Sequence, residues 1–258
     1  MIKLLDDTEW EEKELIDRMY DDSFYYDYLG KASLSSSRIK PLVKSPQAYE
    51  KSLIEPISNE KALRDGRLFH TLLLEYEKVA DRYVFIDSST RTTKKFKECE
   101  LENQDKEIML NKELEQMSYL LARVEANYMA SELLREGLAE VPMVGNIFGF
   151  PFRGKVDYIK NDLIIDVKTT SSLDGWGYAA KNKWHYDLQA YIYTELFSIQ
   201  NFTFLVIDKS TSEIERWDVS QETLEIGKQK CELACQRYRD YFYDKTKNVN
   251  EFVRRSIL

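Results

Sequence analysis

Cysteine is scarce. Three residues in 258 (Cys99, Cys231, Cys235) argue against a disulfide framework and cannot make a four-thiolate cluster within the chain. Cys231 and Cys235 stand one helical turn apart and read as small buried residues of a last helix, so a reducing, cytoplasmic setting is the default expectation. Nine glycines and five prolines leave little material for long flexible joints. No internal repeat stands out. No apolar run approaches the ~18–20 residues of a membrane span, so no membrane partner is expected. The opening MIKLLDDTEW is acidic, unlike a secretory signal or an Arg-rich transit peptide. What is present is a globular mixture, 43% hydrophobic and 32% charged, long enough to bury a sizeable core.

The formal net charge of −8 is unevenly spread. Residues 1–30 hold ten acidic and three basic residues, so the remainder is almost neutral. Ser35–His70 carries seven Lys/Arg against four Asp/Glu. An acidic pI therefore does not exclude a polyanionic partner. Residues 1–30 mix their acids with aromatics (Trp10, Tyr20, Phe24, Tyr25, Tyr26, Tyr28), which suggests a helix and a docking segment rather than a disordered tail.

From Ser35 the chain reads as helical, with serine caps and then Pro46 in the first turn of a helix capped by Ser45. Asn59 is expected to cap a helix through about Tyr76, whose apolar face is Ala62, Leu63, Leu68, Phe69, Leu72 and Leu73. Arg82–Asp87 reads as a short strand, and Lys94–Arg135 as a long helical stretch broken at least once. Three strands follow, Leu138–Phe148, Phe150–Lys160 and Leu163–Thr169, with turns expected at Gly145-Asn146 and Asn161-Asp162. Then come a helix over His185–Ile199, a hairpin of Phe202–Asp208 with Glu213–Val219, and a terminal helix over Gln221–Lys245. The order predicts a mixed α/β (α+β) core with a helical N-terminal addition.

The chemistry concentrates in Gly154–Thr170. Strand alternation puts Asp166 and Lys168 on one face, amid Leu163, Ile164, Ile165 and Val167. A bare edge-strand salt bridge is one reading of that pair. Asp157, across a tight turn on the preceding strand, can lie beside Asp166, and two converging carboxylates suit a hard cation such as Mg²⁺ or Mn²⁺. Upstream, His70 follows Gly66 by one helical turn, and Gly66 leaves room for close packing. Downstream, Gln189 and Tyr193 share one helix face. Ser35, Ser37 and Arg38 offer hydroxyls and a guanidinium to a terminal phosphate, with helix capping the competing role. Trp176, after Thr169 and Thr170, stacks on a base or covers the sheet. His185, between Trp184 and Tyr186, reads as a capping or packing residue.

These motifs, G-x-x-x-H (Gly66–His70), G-x-x-D (Gly154–Asp157), D-x-K (Asp166–Lys168) and Q-x-x-x-Y (Gln189–Tyr193), occur in an order that resembles the PD-(D/E)xK nuclease superfamily, RecB-type branch. Ser33–Tyr49 and Ala62–Glu75 look like phage and prophage exonucleases of the RecE (exonuclease VIII) type, and the similarity extends from about Ser33 to Leu205. The resemblance implies a restriction-endonuclease-like core in a single nuclease domain. Its central mixed sheet is flanked by helices. An acidic aromatic segment (1–32), a helical part (33–136), the catalytic sheet and helix (137–220) and a C-terminal helix and tail (221–258) follow one another.

It implies metal ligation by His70, Asp157, Asp166 and the Val167 carbonyl, and catalytic roles for Asp157, Asp166, Lys168, Gln189 and Tyr193. Glu140 matches a further acidic residue acting through water or the lysine, and Ser35, Ser37, Arg38, Thr169, Thr170 and Trp176 fall to DNA binding. The implied activity is Mg²⁺-dependent (or Mn²⁺-dependent) 5′→3′ digestion of linear double-stranded DNA, with one or two ions, in phage or prophage recombination within a host cytoplasm. The 3′ tail would pass to a single-strand annealing protein. A homo-oligomeric ring of three or four subunits is implied, with basic residues of Ser35–Arg67 toward the channel, the acidic segment turned away from DNA, and Trp10–Tyr28 as one interface patch. A restriction-type endonuclease, a helicase-associated nuclease and an inactive DNA-binding protein on the same fold are alternative readings.

Overall fold

The computed structural model describes residues 1–55 and 60–254; the expected Asn59 cap lies outside them. The N-terminal part comprises strands β1 (Ile2–Lys3) and β2 (Glu9–Trp10) and helices α1 (Glu12–Arg18), α2 (Leu29–Ala32), α3 (Ser36–Lys44), α4 (Pro46–Ser52), α5 (Glu60–Leu74) and α6 (Val79–Arg82). Next come β3 (Tyr83–Ile86), α7 (Lys94–Glu102), β4 (Glu107–Leu110), α8 (Asn111–Ala126) and α9 (Tyr128–Leu133). The central part is β5 (Leu138–Ile147), β6 (Phe150–Lys160), β7 (Leu163–Thr170), α10 (Trp176–Asn182), α11 (Tyr186–Phe197), β8 (Asn201–Asp208), β9 (Ile214–Asp218) and α12 (Gln221–Tyr238). No described helix is long and apolar enough to cross a membrane.

β5 to β9 form one sheet in sequential order, antiparallel except for the β7–β8 pair. Parallel strands need cover on both faces, and β7 and β8 accordingly read as near-continuous apolar runs. Alternation sends Ile164, Phe202, Phe204 and Val206 into a core shared with α3, α11 and α12. Ile165, Val167, Leu205 and Ile207 enter the opposite core, with Leu68, Phe69, Met117 and Leu120 of α5 and α8. Each such fully buried side chain contributes roughly 1.5–3 kcal/mol.

Two details position the site. β6 has 11 residues and β7 eight, yet they pair only at Tyr158↔Ile165, Ile159↔Ile164 and Lys160↔Leu163. Beyond Tyr158 they diverge. Part of the vacated β6 edge is taken by Leu34, whose N–H donates to Pro151 O (2.8 Å) and whose carbonyl accepts from Arg153 N (2.9 Å). The N-terminal segment is thereby stitched into the sheet. It packs through its own small core, in which Leu15, Met19, Phe24 and Leu29 meet Val144 of β5. The aromatics of Trp10–Tyr28 are largely spent there: Trp10, Phe24 and Tyr28 contact one another.

Several sequence expectations need correction. Gly145 and Asn146 lie inside β5, and the chain reverses at Phe148-Gly149, both at positive φ (51° and 83°), as a two-residue hairpin requires. Asn146 serves that turn from outside, its Oδ1 accepting from Gly149 N at 3.0 Å. The Lys94–Arg135 stretch is not wholly helical. β4 interrupts it and pairs in parallel with β3. Its apolar run Ile108–Leu110 is too short to separate from a helix by periodicity. The terminal α-helix stops at Tyr238 and widens into a π-turn over Arg239–Tyr243.

The glycine expectations also separate. A Cβ on Gly66 would meet nothing within 4 Å, so this residue makes no close packing contact. At Gly154 a Cβ would stand 2.9 Å from Tyr193 Cε1 and 3.0 Å from Leu196 Cδ1, so the absent side chain is what lets α11 seat on β6. Gly154→Val should therefore destabilise the protein by about 1–3 kcal/mol. Gly66→Ala, in an open helix interior, should stabilise it by up to ~1 kcal/mol. Chemical denaturation of both variants checks this, and equal losses would contradict the packing described.

Candidate active site

The divergence of β6 and β7 leaves backbone groups of β7 without strand partners, and side chains take their place. Asp157 Oδ2 accepts from Val167 N at 2.7 Å. His70, on the buried side of α5, meets the Val167 carbonyl through Nε2 at 2.9 Å, and its Nδ1 lies 3.5 Å from Asp157 Oδ2. Glu140 is placed by register: Ala139 pairs with Tyr158 and Val141 with Val156, which sets Glu140 opposite Asp157. Its φ of 51° is a strained value for a non-glycine residue inside a strand. His70, Glu140 and Asp157 bring ligand atoms within 4.8 Å of one another.

Asp166 is fully buried one layer behind. Its Oδ1 accepts from Gln189 Nε2 of α11 at 2.7 Å. Its Oδ2 has no well-aligned hydrogen bond and closely faces the Lys168 ammonium. Lys168 Nζ in turn lies 5.2 Å from the Tyr186 ring centroid, a cation–π contact. Tyr193, also on α11, is buried over Gly154 beside Gln189.

The electrostatics describe a site crowded with negative charge. Burial, then repulsion from Asp157 and Glu75, pushes Glu140 up to about 8, partly opposed by Lys155 and Arg82. Burial raises Asp157 against the pull of Lys168 and the Val167 N–H. Burial likewise raises Asp166 to about 6, against Lys168. Lys168 itself, although burial pulls it down, is held above the ordinary lysine value by Asp166 and Asp157. Burial and the neighbouring Lys168 lower His70 to about 4, so its imidazole is neutral across the physiological range, the form that ligates metal. Hard carboxylate oxygens beside one neutral imidazole, with Asp166 Oδ2 lacking an aligned donor, fit a divalent cation such as Mg²⁺ or Mn²⁺.

The cluster opens into a groove of about 1270 Å³. Ser35, Ser37, Thr169 and Thr170 line it. Ser35 also caps α3, its Oγ accepting from Arg38 N at 3.3 Å, and Thr170 Oγ1 is tied to Ser172 O at 2.9 Å. Two expected DNA contacts are engaged internally, although Trp176 borders the groove. Arg38 is spent internally: its guanidinium donates to the carbonyls of Gly30, Lys31 and Ser33 at 2.7–3.0 Å and anchors the N-terminal segment. Trp176 is 3% exposed, packed on Trp184, Tyr186, Phe204 and Trp217 at 5.4–6.4 Å between centroids. A ring so enclosed cannot stack on a base; it braces Tyr186 beneath Lys168. His185 sits at positive φ just before α11. Glu75, just beyond α5, is buried and paired with Arg82 and Lys78.

Sequence reasoning missed Tyr186, Arg82 and Lys155, and covered Lys40 only as one of the basic residues of Ser35–Arg67. Lys40 sits one turn beyond Ser36 on α3, 5.5 Å from the Tyr186 ring, and burial with repulsion from Lys168 lowers it to about 8. Lys155 was within reach of the period-two rule, two residues before Asp157 on β6. Asp22, Tyr25 and Tyr26 of the acidic segment line the groove because Leu34 docks the segment at the fork.

Mn²⁺ or Mg²⁺ should raise the melting temperature of the wild type, by roughly 5 °C at a hundredfold excess over Kd. Asp157→Asn should lose that gain and Lys168→Gln should keep it. Thermal denaturation with and without EDTA checks this; an equal shift in Asp157→Asn would place the ion elsewhere.

The chain matches the family model described as "PDDEXK-like domain of unknown function (DUF3799)" over residues 35–249. A candidate exonuclease from Eubacterium rectale superposes with a TM-score of 0.65 at 18% identity, covering 92% of this chain and 95% of that one. A phage-related exonuclease from Haemophilus somnus 129PT aligns with a TM-score of 0.36 at 13% identity, over 82% of this chain and 96% of that chain. No curated protein matches the sequence. The Eubacterium rectale likeness is one of fold, and it agrees with the sheet and flanking helices described above. With most of its length matched, and its acidic cluster at the fork of β6 and β7, the chain belongs to the PDDEXK-like domain family.

Proposed function

We propose that this protein is a Mg²⁺- or Mn²⁺-dependent exodeoxyribonuclease of RecE-like type, which degrades linear duplex DNA 5′→3′ and leaves a 3′ single-stranded tail for an annealing protein in phage or prophage recombination. The observation that carries the reading is the convergence of His70, Glu140 and Asp157, with Asp166 and Lys168 behind them, at the floor of a groove. The exonuclease description of the Eubacterium rectale neighbour supports it. So do the cations that line the groove, including Lys40, Arg67, Arg82, Lys155 and Lys209, since phosphate contacts dominate binding that is indifferent to sequence.

His70, Glu140 and Asp157 are the residues to hold the cation, with Asp166 and the Val167 carbonyl adjoining. A bound divalent ion supplies Lewis acidity at the phosphate and lowers the pKa of a water. Lys168, kept cationic by Asp166, orients that water or a phosphate oxygen. Gln189 fixes Asp166 by donating to Oδ1, and so fixes the lysine at one remove. Hydrolysis is direct, with no covalent enzyme intermediate. The working assembly is a closed ring of three or four subunits, which retains DNA topologically where a nearly neutral body grips it weakly.

Digestion of duplexes labelled at the 5′ or the 3′ end, with a covalently closed circle as control, tests this. The expected result is loss of 5′ label from linear DNA only, abolished by EDTA and reduced at least a hundredfold in Lys168→Gln. Cutting of the closed circle would favour an endonuclease. Light scattering should return three or four chain masses; a monomer that persists with DNA ends would contradict the ring.

A further inference from the structure

One wall of the groove is built by a segment that lies before the family match. Tyr25 and Tyr26 pack over β6, and Asp22 reaches two groove cations. Asp22 Oδ1 accepts from Lys155 Nζ at 3.1 Å, and Oδ2 from Arg82 Nη2 at 2.6 Å. The two cations differ in what else they hold. Arg82 keeps a second carboxylate, its Nη1 donating to Glu75 Oε2 at 2.6 Å. Lys155 makes no other salt bridge among the described residues, although Glu140 also feels its charge. Its side chain is 9% exposed and lies over the rings of Tyr25 (4.7 Å) and Tyr26 (5.5 Å). An ammonium this buried needs a counter-ion, and the one it has is 40% exposed.

Two residues earlier on the same face of β6, Arg153 repeats the pattern. It is 9% exposed and lines the groove. Its Nη1 donates to the Leu29 carbonyl at 2.7 Å, its Nε has no partner, and no carboxylate pairs with it among the described residues. Arg153, Lys155 and Asp157 alternate onto one side of the strand. The strand that ends at the acidic cluster thus carries two cations with a single direct salt bridge between them, made to a carboxylate of the N-terminal segment. A phosphodiester presents two anionic oxygens much as a carboxylate does, and both suit an Arg–Lys pair.

We infer that Asp22 is a displaceable counter-ion. It stands where a backbone phosphate of the nucleic-acid strand binds, and Arg82 with Lys155 forms a phosphate subsite that the N-terminal segment fills until DNA takes its place. This rests on the nuclease reading above. Binding of a fluorescent duplex oligonucleotide, followed by anisotropy in EDTA over a range of salt, tests it. Asp22→Asn should bind about three- to tenfold more tightly at low salt, with the slope of log K against log salt steeper by about one. Asp22→Glu, which keeps the charge, should bind as the wild type does. Adding Lys155→Gln to Asp22→Asn should cancel the gain.

Unchanged or weaker binding by Asp22→Asn, in a wild type that does bind DNA, overturns the displacement and makes Asp22 a clamp for the segment. A wild type that binds no duplex at all overturns the nuclease reading and this inference with it.

Discussion

One hydrogen bond organises the site: the Asp157 carboxylate accepts from the Val167 N–H in the place where a strand ladder would have continued. Two antiparallel strands joined by a tight turn ordinarily zip along their whole length. Here β6 and β7 part after three residue pairs, and a side chain pairs with the peptide group that the parting exposes. A buried, unpaired N–H costs about 1–3 kcal/mol, so Asp157 serves the sheet as well as the cation site. His70 does the same for the Val167 carbonyl. The fork thus persists because groups suited to hold a cation also complete the backbone's hydrogen bonding.

The rest of the molecule supplies what an opened sheet needs. α5 brings His70 to one side, and α11 brings Gln189 to the other, seated closely on Gly154. Leu34 fills part of the edge that β6 loses, and Arg38 ties the preceding turn to that position. The charge balance is local: Lys168 neutralises the deepest carboxylate, while Glu140 and Asp157 are left crowded and raised. Acids that repel one another at the floor of a groove are a standing demand for a cation, which an ordinary salt-bridge network would not leave.

Much of this was legible in the sequence for identifiable reasons. β6 and β7 combine strong alternation or apolar runs with an Asn-Asp turn, and the D-x-K spacing puts Asp166 and Lys168 on one face whatever the register. His70 and Asp157 of the cluster were named from their motifs, and Glu140 was the less legible member. Glu140 reaches the cluster only through the β5–β6 register, which depends on a hairpin turn at Phe148-Gly149 that Gly145-Asn146 outcompetes on composition. Arg38 and Trp176 were assigned by residue type, yet packing decides their roles: one donates to three carbonyls, the other sits in an aromatic cluster. The groove contribution of Asp22 depends on a contact 133 residues away in the chain, which no local pattern encodes.

The central claim is that the fork holds a divalent cation. Anomalous diffraction from Mn²⁺-soaked crystals tests it most directly. The account predicts a peak bounded by His70, Glu140 and Asp157, adjoining Asp166 and the Val167 carbonyl. Mn²⁺ density elsewhere on the molecule, with none at the fork under concentrations that support DNA cleavage, would contradict it.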